Sequence, residues 1–151
     1  MSRWLDLSVI GDKELDARLD ELEKGAAMKA VRPALRAGMK AILPLILDLV
    51  PVRSGKLRGA PWKIRAAKRK RGRVGVAILS PTREALGIPA SDPYYYPAGV
   101  ELGREGQPAQ SYMRAGLHAG ESAALQALQD TLWSRLERLG MGRDPGEDTE
   151  E

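Results

Sequence analysis

The apolar positions of this chain gather in two long stretches at helical spacing, with shorter alternating stretches between them. In the first, Ala26 to Val50, the residues Val31, Leu35, Met39, Ile42, Ile46 and Leu49 recur at steps of three and four. That spacing puts them on one stripe of a helix. Arg32, Arg36 and Lys40 share a different face, as solvated charges do on an amphipathic helix. From Ala41 to Val50 only Pro44 and Asp48 break the apolar character, so this end is expected to be buried on more than one side. Pro44 removes a backbone donor and crowds the preceding turn, which predicts a kink or a restart. Pro51 predicts the stop, because the residue before a proline is pushed out of the helical region. The second stretch, Ser111 to Leu139, places Leu117, Ala124, Leu125, Leu128, Leu132, Leu136 and Leu139 on a buried stripe, with Gly140 as its cap.

The shorter elements follow from alternation and punctuation. Trp4 to Ile10 partly alternates and predicts a short strand; Gly11 ends it and Asp12 is a good helix N-cap. Leu15, Leu19 and Leu22 then mark a first helix closed by Gly25. Ala60 to Ala66 alternates apolar and basic residues, and Arg73 to Ser80 resembles a more buried strand, with Ala67 to Gly72 as hairpin tip or short loop. Pro81 to Pro93 is an irregular insertion. Tyr94 to Gly103 predicts another strand, with Pro97 at an edge or bulge. The order strand, helix, helix, strands, helix gives an α+β fold: a small, mostly antiparallel sheet packed against long N-terminal and C-terminal helices. Residues 1–140 form one domain on this reading. Residues 141–151 are a short acidic tail expected to be disordered, and deleting Gly142 to Glu151 should move the melting temperature by no more than about 2 °C.

Composition changes this picture in one respect. The length of 151 residues, the apolar fraction of 43% and the charged fraction of 29% are those of an ordinary globular domain. Without cysteine there is no disulfide framework and no thiolate metal site. No uninterrupted apolar run reaches the ~18 residues of a membrane span, and no signal-peptide pattern opens the chain. The net charge of +4, however, is strongly segregated: residues 1–24 carry −3, residues 29–73 carry +13, residues 74–139 carry −2 and residues 140–151 carry −4. Such separation is suited to a polyanion partner, or to packing of a basic face against an acidic one in a neighbouring copy. Clustered but solvated faces would produce the same pattern.

Little in the chain points to catalysis. His118 is the single histidine, and a metal site needs several converging ligands. Ser54 or Ser111 as a nucleophile would need a base to share the work. Gly55, Gly59, Gly72 and Gly75 do not build a phosphate-cradling loop, and Gly55-Lys56-Leu57 lacks the hydroxyl residue that would hold magnesium. Tyr94, Tyr95 and Tyr96 could stack on bases, but strand aromatics more often pack at a sheet edge. The reading is a non-enzyme without cofactor or metal.

Four stretches together carry a resemblance. Gly11-Asp12-Lys13-Glu14-Leu15 opens a helix; Pro51-Val52-Arg53-Ser54-Gly55-Lys56-Leu57 follows the end of another. Tyr95-Tyr96 leads to Val100-Glu101-Leu102-Gly103, and Pro108-Ala109-Gln110-Ser111-Tyr112-Met113-Arg114-Ala115 enters the last helix. In this order and spacing, from about Val9 to Leu139, they resemble the HK97 gp10-like family of tailed-phage proteins, the tail-completion or head–tail joining components. The chain departs from the family pattern at Ser111-Tyr112, which stands where Pro-Phe is usual. Gly116 loosens the first turn of the last helix, and the insertion from Pro81 to Pro93 is long.

The resemblance implies a structural virion protein of a tailed phage or phage-like particle. It would act by assembly as a ring subunit, expected to be a hexamer, at the head–tail junction or neck, and lie in the host cytoplasm before assembly. Its implied neighbours are connector or adaptor proteins and tail-terminator proteins. The motif residues are Pro51, Arg53, Ser54, Gly55, Leu57, Tyr95, Glu101, Gly103 and Arg114. Gly55 is expected to supply a positive φ after a helix and Leu57 to anchor the turn in the core. Glu101, on the strand face opposite Val100 and Leu102, is expected to pair with Arg53 or Arg114, or else to be exposed. Seven of the eleven residues from Lys63 to Arg73 are basic: Lys63, Arg65, Lys68, Arg69, Lys70, Arg71 and Arg73. This block would line the channel for packaged DNA through non-specific phosphate contacts, meet an acidic segment of a neighbouring subunit, or stand in solvent. The alternative function is a stand-alone nucleic-acid-binding protein that uses this same block.

Overall fold

The computed structural model describes residues 24–67 and 74–140. Six elements follow in order: α1 Lys24–Leu49, α2 Lys56–Gly59, β1 Lys63–Ala66, β2 Val76–Leu79, α3 Tyr96–Leu102 and α4 Tyr112–Arg138. The expected first strand and first helix up to residue 23, the acidic tail, and residues 68–73, which include all of the expected hairpin tip Ala67 to Gly72 except Ala67, lie outside the described residues.

Two antiparallel helices, α1 and α4, make the frame. On α1 every fourth residue is buried: Ala30, Ala34, Gly38, Ile42, Ile46 and Val50 just past its end. On α4 the same step runs Tyr112, Gly116, Gly120, Ala124, Leu128, Leu132 and Leu136. These rows are the ridges formed by residues four apart, which interdigitate where two helices pack. Their sizes are complementary. Gly116 lies against Ile46 and Gly120 against Ile42 and Leu45, while Gly38 lies against the backbone of Ala124. Farther along, Leu128, Leu132 and Leu136 cover Ala30 and Ala34. Each bulky side chain of one helix thus fills the space left by a small residue of the other, as close packing demands.

This seam corrects the stripes read from apolarity. Leu49 and Leu139 are about half exposed, and Val31, Leu35, Leu117 and Leu125 only flank the contact. The last helix runs unbroken through Gly116, which lies directly against the Ile46 backbone. The expected break at Gly25 is absent, since α1 begins at Lys24 and runs through it. No restart occurs at Pro44 either, and α1 continues across both Pro33 and Pro44. The carbonyls that these prolines leave without an amide partner belong to Lys29 and Lys40, both exposed residues. The stop at Pro51 is as expected.

The sheet has two antiparallel strands, paired Lys63 with Leu79, Ile64 with Ile78, Arg65 with Ala77 and Ala66 with Val76. The amide of Ala67 extends the ladder to the Gly75 carbonyl at 2.8 Å. Ile64, Ile78 and the buried Val76 face the core beside Met39, Ile42, Ile46 and Val50, which closes the α+β arrangement. Trp62 joins strand to helices: its ring meets Tyr112 edge-on at 6.3 Å, and its indole nitrogen donates to the Leu57 carbonyl at 3.0 Å. Tyr112 is 1% exposed, and its hydroxyl donates to the Pro97 carbonyl at 3.1 Å. Burial first, then the nearby Glu101 carboxylate, holds that hydroxyl far above its ordinary pKa, so it stays a donor at any physiological pH.

The insertion from Pro81 to Pro93 is less irregular than expected. It closes a turn around Leu86, which is 4% exposed and belongs to the core. Arg83 fastens the far side through the carbonyls of Asp92 and Pro93.

Candidate functional site

Tyr94 to Gly103 is not a strand. Residues Tyr96–Leu102 form the helix α3, with Pro97 in its first turn, where a fixed φ is pre-set for a helix and the missing donor would have no partner anyway. Gly103 closes it at φ 76°, its amide bonded to the Gly99 carbonyl at 2.9 Å. A Cβ there would sit 2.7 Å from the Ala109 nitrogen, so both backbone angle and space require glycine. Tyr95, at the N-cap position, holds the helix to the insertion: its hydroxyl donates to the Pro81 carbonyl at 2.6 Å and accepts from Ser80 at 2.7 Å.

The change from strand to helix redirects Glu101. It is 9% exposed and points at the start of α4. One carboxylate oxygen accepts the Met113 amide at 2.8 Å and the other the Arg114 amide at 3.3 Å. Ser111 occupies the N-cap position but makes no cap with its side chain; its hydroxyl donates instead to the Glu101 carbonyl at 3.2 Å. Glu101 therefore caps α4 from a distance of ten or more residues, putting a negative charge against the positive end of a 27-residue helix. The Gln110 amide adds a bond to the Val100 carbonyl at 2.8 Å. With the Tyr112 hydroxyl on the Pro97 carbonyl, five hydrogen bonds thus tie α3 to the entry of α4.

Of the two arginines offered as partners, Arg114 is the one beside Glu101, with Nε 3.9 Å from the carboxylate. The Arg114 side chain is 58% exposed, so the amides rather than the guanidinium hold the charge. Arg53 is exposed in the turn before α2 and has no contact with Glu101. A double-mutant cycle is expected to give a coupling below about 1 kcal/mol for Glu101 with Arg114, as for a partly screened pair, and about zero for Glu101 with Arg53. Urea unfolding of the single and double alanine variants measures both.

The turn from Pro51 to Lys56 is the second feature. Gly55 adopts φ 75° ahead of α2, and Leu57, 6% exposed, plugs into the core as expected. These two residues fix the backbone from below. Val52, Arg53 and Ser54 face outward, Val52 at 63% exposure, with Leu49 about half exposed beside them. Arg58, one turn on, pairs with Asp48 at 3.0 Å on the surface. The turn is an outward-facing knuckle that exposes Val52, Arg53 and Ser54.

Lys63 and Arg65 project from the exposed side of β1, consistent with alternation along a strand. Lys68, Arg69, Lys70, Arg71 and Arg73 lie outside the described residues, so the basic block is seen only at its base. His118 is exposed on α4, and among the described residues no three His, Cys, Asp or Glu side chains are grouped to hold a metal ion. No described helix is long and apolar enough to cross a membrane. The seam residues Gly116 and Gly120 escaped a reading based on apolarity, although their four-residue step with Ala124 was present in the sequence.

Compared with protein-family models, residues 13–103 match the HK97-gp10-like model, described as "Bacteriophage HK97-gp10, putative tail-component". The match spans more than half of the chain and contains both the turn at Pro51–Leu57 and helix α3 with Glu101 and Gly103. It ends before the Pro108–Ala115 stretch. No curated protein and no solved structure matches the chain.

Proposed function

This chain belongs to the HK97-gp10-like family of phage tail components, and from that premise we propose that it is a ring subunit at the head–tail junction, acting by assembly rather than catalysis. The observation that carries the reading is the Pro51–Lys56 turn. Its inner residues, Gly55 and Leu57, serve the fold, whereas Val52, Arg53 and Ser54 stand exposed and make no side-chain hydrogen bond or ion pair among the described residues. Exposed apolar residues such as Leu49 and Val52 with Arg53 between anchored positions suit a subunit contact, where apolar and arginine side chains are enriched. A closed ring needs a heterologous contact repeated around an axis, and this knuckle is one half of it. The ring is a hexamer on this reading, flanked by connector or adaptor proteins and tail-terminator proteins.

Electron microscopy of particles carrying a tagged copy tests the placement. Extra density at the head–tail junction is expected; density elsewhere overturns it. The basic block gives a further test. Changing Lys68, Arg69, Lys70 and Arg71 together to serine is expected to yield complete particles that lose packaged DNA, if these side chains line the channel through phosphate contacts. Particles that fail to join tails would assign the block to a subunit contact instead, and normal infectious particles would remove it from both roles.

A further inference from the structure

Helix α1 carries a second ordered row. Arg32, Arg36 and Lys40 repeat at four-residue steps on the side opposite the α4 seam, with Lys29 beside them, and all four are exposed. The row spans about 16 Å at the helical rise. None of its members has an acidic partner among the described residues, and Asp48, the one acid of α1, is taken by Arg58. Like charges four apart on a helix destabilise it, so the row works against the helix that bears it and is not explained by the fold. The described surface offers it no counterpart. Its exposed acids, such as Glu121, Asp130 and Glu137 on α4, stand seven or more residues apart along the chain, so they form no ordered acidic row for a second copy to present.

The surroundings of the row select among polyanions. An anionic bilayer is held by apolar side chains as well as by charge, yet the exposed large apolar residues are Leu49, Val52, Leu102 and Leu139, none of them in the row. A single nucleic-acid strand is held by aromatic faces on which its bases stack, and α1 contains no aromatic residue. A duplex needs neither. It carries about one negative charge per 1.7 Å of its axis, so about ten charges face a row of this length. The row is presented on a helix backed on its other side by α4, so its charges are already in line. We propose that Lys29, Arg32, Arg36 and Lys40 form a contact for the phosphate backbone of a double-stranded nucleic acid, blind to base sequence. The contact lies on a different element from the Lys68–Arg71 block and does not depend on where an assembled ring sits.

Fluorescence anisotropy of labelled DNA and RNA duplexes of one mixed sequence, titrated with the full chain at a series of salt concentrations, tests the proposal. Each phosphate contact contributes about −0.9 to the slope of log affinity against log salt. In K29Q/R32Q/R36Q/K40Q, whose glutamines keep helix propensity, the slope is expected to become shallower by about 3 to 4 and the low-salt affinity to fall about tenfold or more. R32Q/R36Q should show about half of that change in slope, and the charge-preserving K29R/R32K/R36K/K40R should keep the slope of the natural chain. The tighter of the two duplexes identifies which backbone the row fits. The glutamine variants should melt no lower than the natural chain, because a repulsive row has been removed. A slope unchanged in the four-glutamine variant would overturn the proposal, whatever the Lys68–Arg71 block contributes. So would a lower melting temperature, which would make the row part of the fold. Displacement of both duplexes by poly-glutamate at equal charge would overturn it too, and assign the row to an acidic protein. The electron microscopy of tagged particles holds or fails independently of all these outcomes.

Discussion

Glu101→Ala is expected to destabilise the protein by about 3 kcal/mol, the sum of two amides left without an acceptor and a helix end left without its charge. The Glu101 side chain is 12% exposed, so water cannot simply replace it at the Met113 and Arg114 amides. For a chain of this length that loss lowers the melting temperature by about 9 °C. Glu101→Gln should recover less than half of it, because one of the two positions facing the amides would then be a donor rather than an acceptor. Calorimetry of the three proteins checks this. Glu101→Ala within about 1 kcal/mol of the natural chain would mean that the Gln110, Ser111 and Tyr112 bonds suffice to hold the entry of α4.

Gly116→Val should be at least as damaging, by about 3 kcal/mol or more. A Cβ at position 116 would lie 2.6 Å from Ile46 Cγ1 and 2.8 Å from both its Cα and its nitrogen. A side chain can turn away, but a helix backbone cannot, so α1 and α4 must separate and uncover the seam. Alanine makes the sharper test. On helix propensity alone Gly116→Ala would stabilise by about 1 kcal/mol, yet the clash is already complete at Cβ, and a net loss of about 2 kcal/mol is expected. Adding Ile46→Ala removes the Cγ1 contact and leaves the Cα and nitrogen in place, so it should not rescue the variant. Denaturant unfolding in which Gly116→Ala equals or exceeds the natural stability would show that the helices do not approach this closely.

Both residues stand where the sequence was partly readable. Glu101 was expected to face away from Val100 and Leu102 and to pair with Arg53 or Arg114, or else to be exposed; it is buried, with Arg114 beside it. Its main role was not legible, because Tyr94 to Gly103 satisfied a strand reading until the position of Pro97 was settled by the fold. A proline suits a strand edge and the first turn of a helix equally well. What decides is whether the chain can then bury Pro97 and deliver Glu101 to α4, and both are contacts with residues far along the chain.

The sequence by itself determined the two long helices, the stop at Pro51, the positive φ of Gly55, the core anchor Leu57, the hairpin and the family. Each rests on local chemistry: helical periodicity, a ring-locked φ, a missing Cβ, alternation, or a motif in order. Only the tertiary structure decided which faces of the helices meet. Apolarity ranks Leu49 and Leu139 above Gly38, Gly116 and Gly120, but depth of burial is set by how near two backbones come. The smallest residues permit the nearest approach, and so the glycines lie in the seam while the two leucines remain half in solvent.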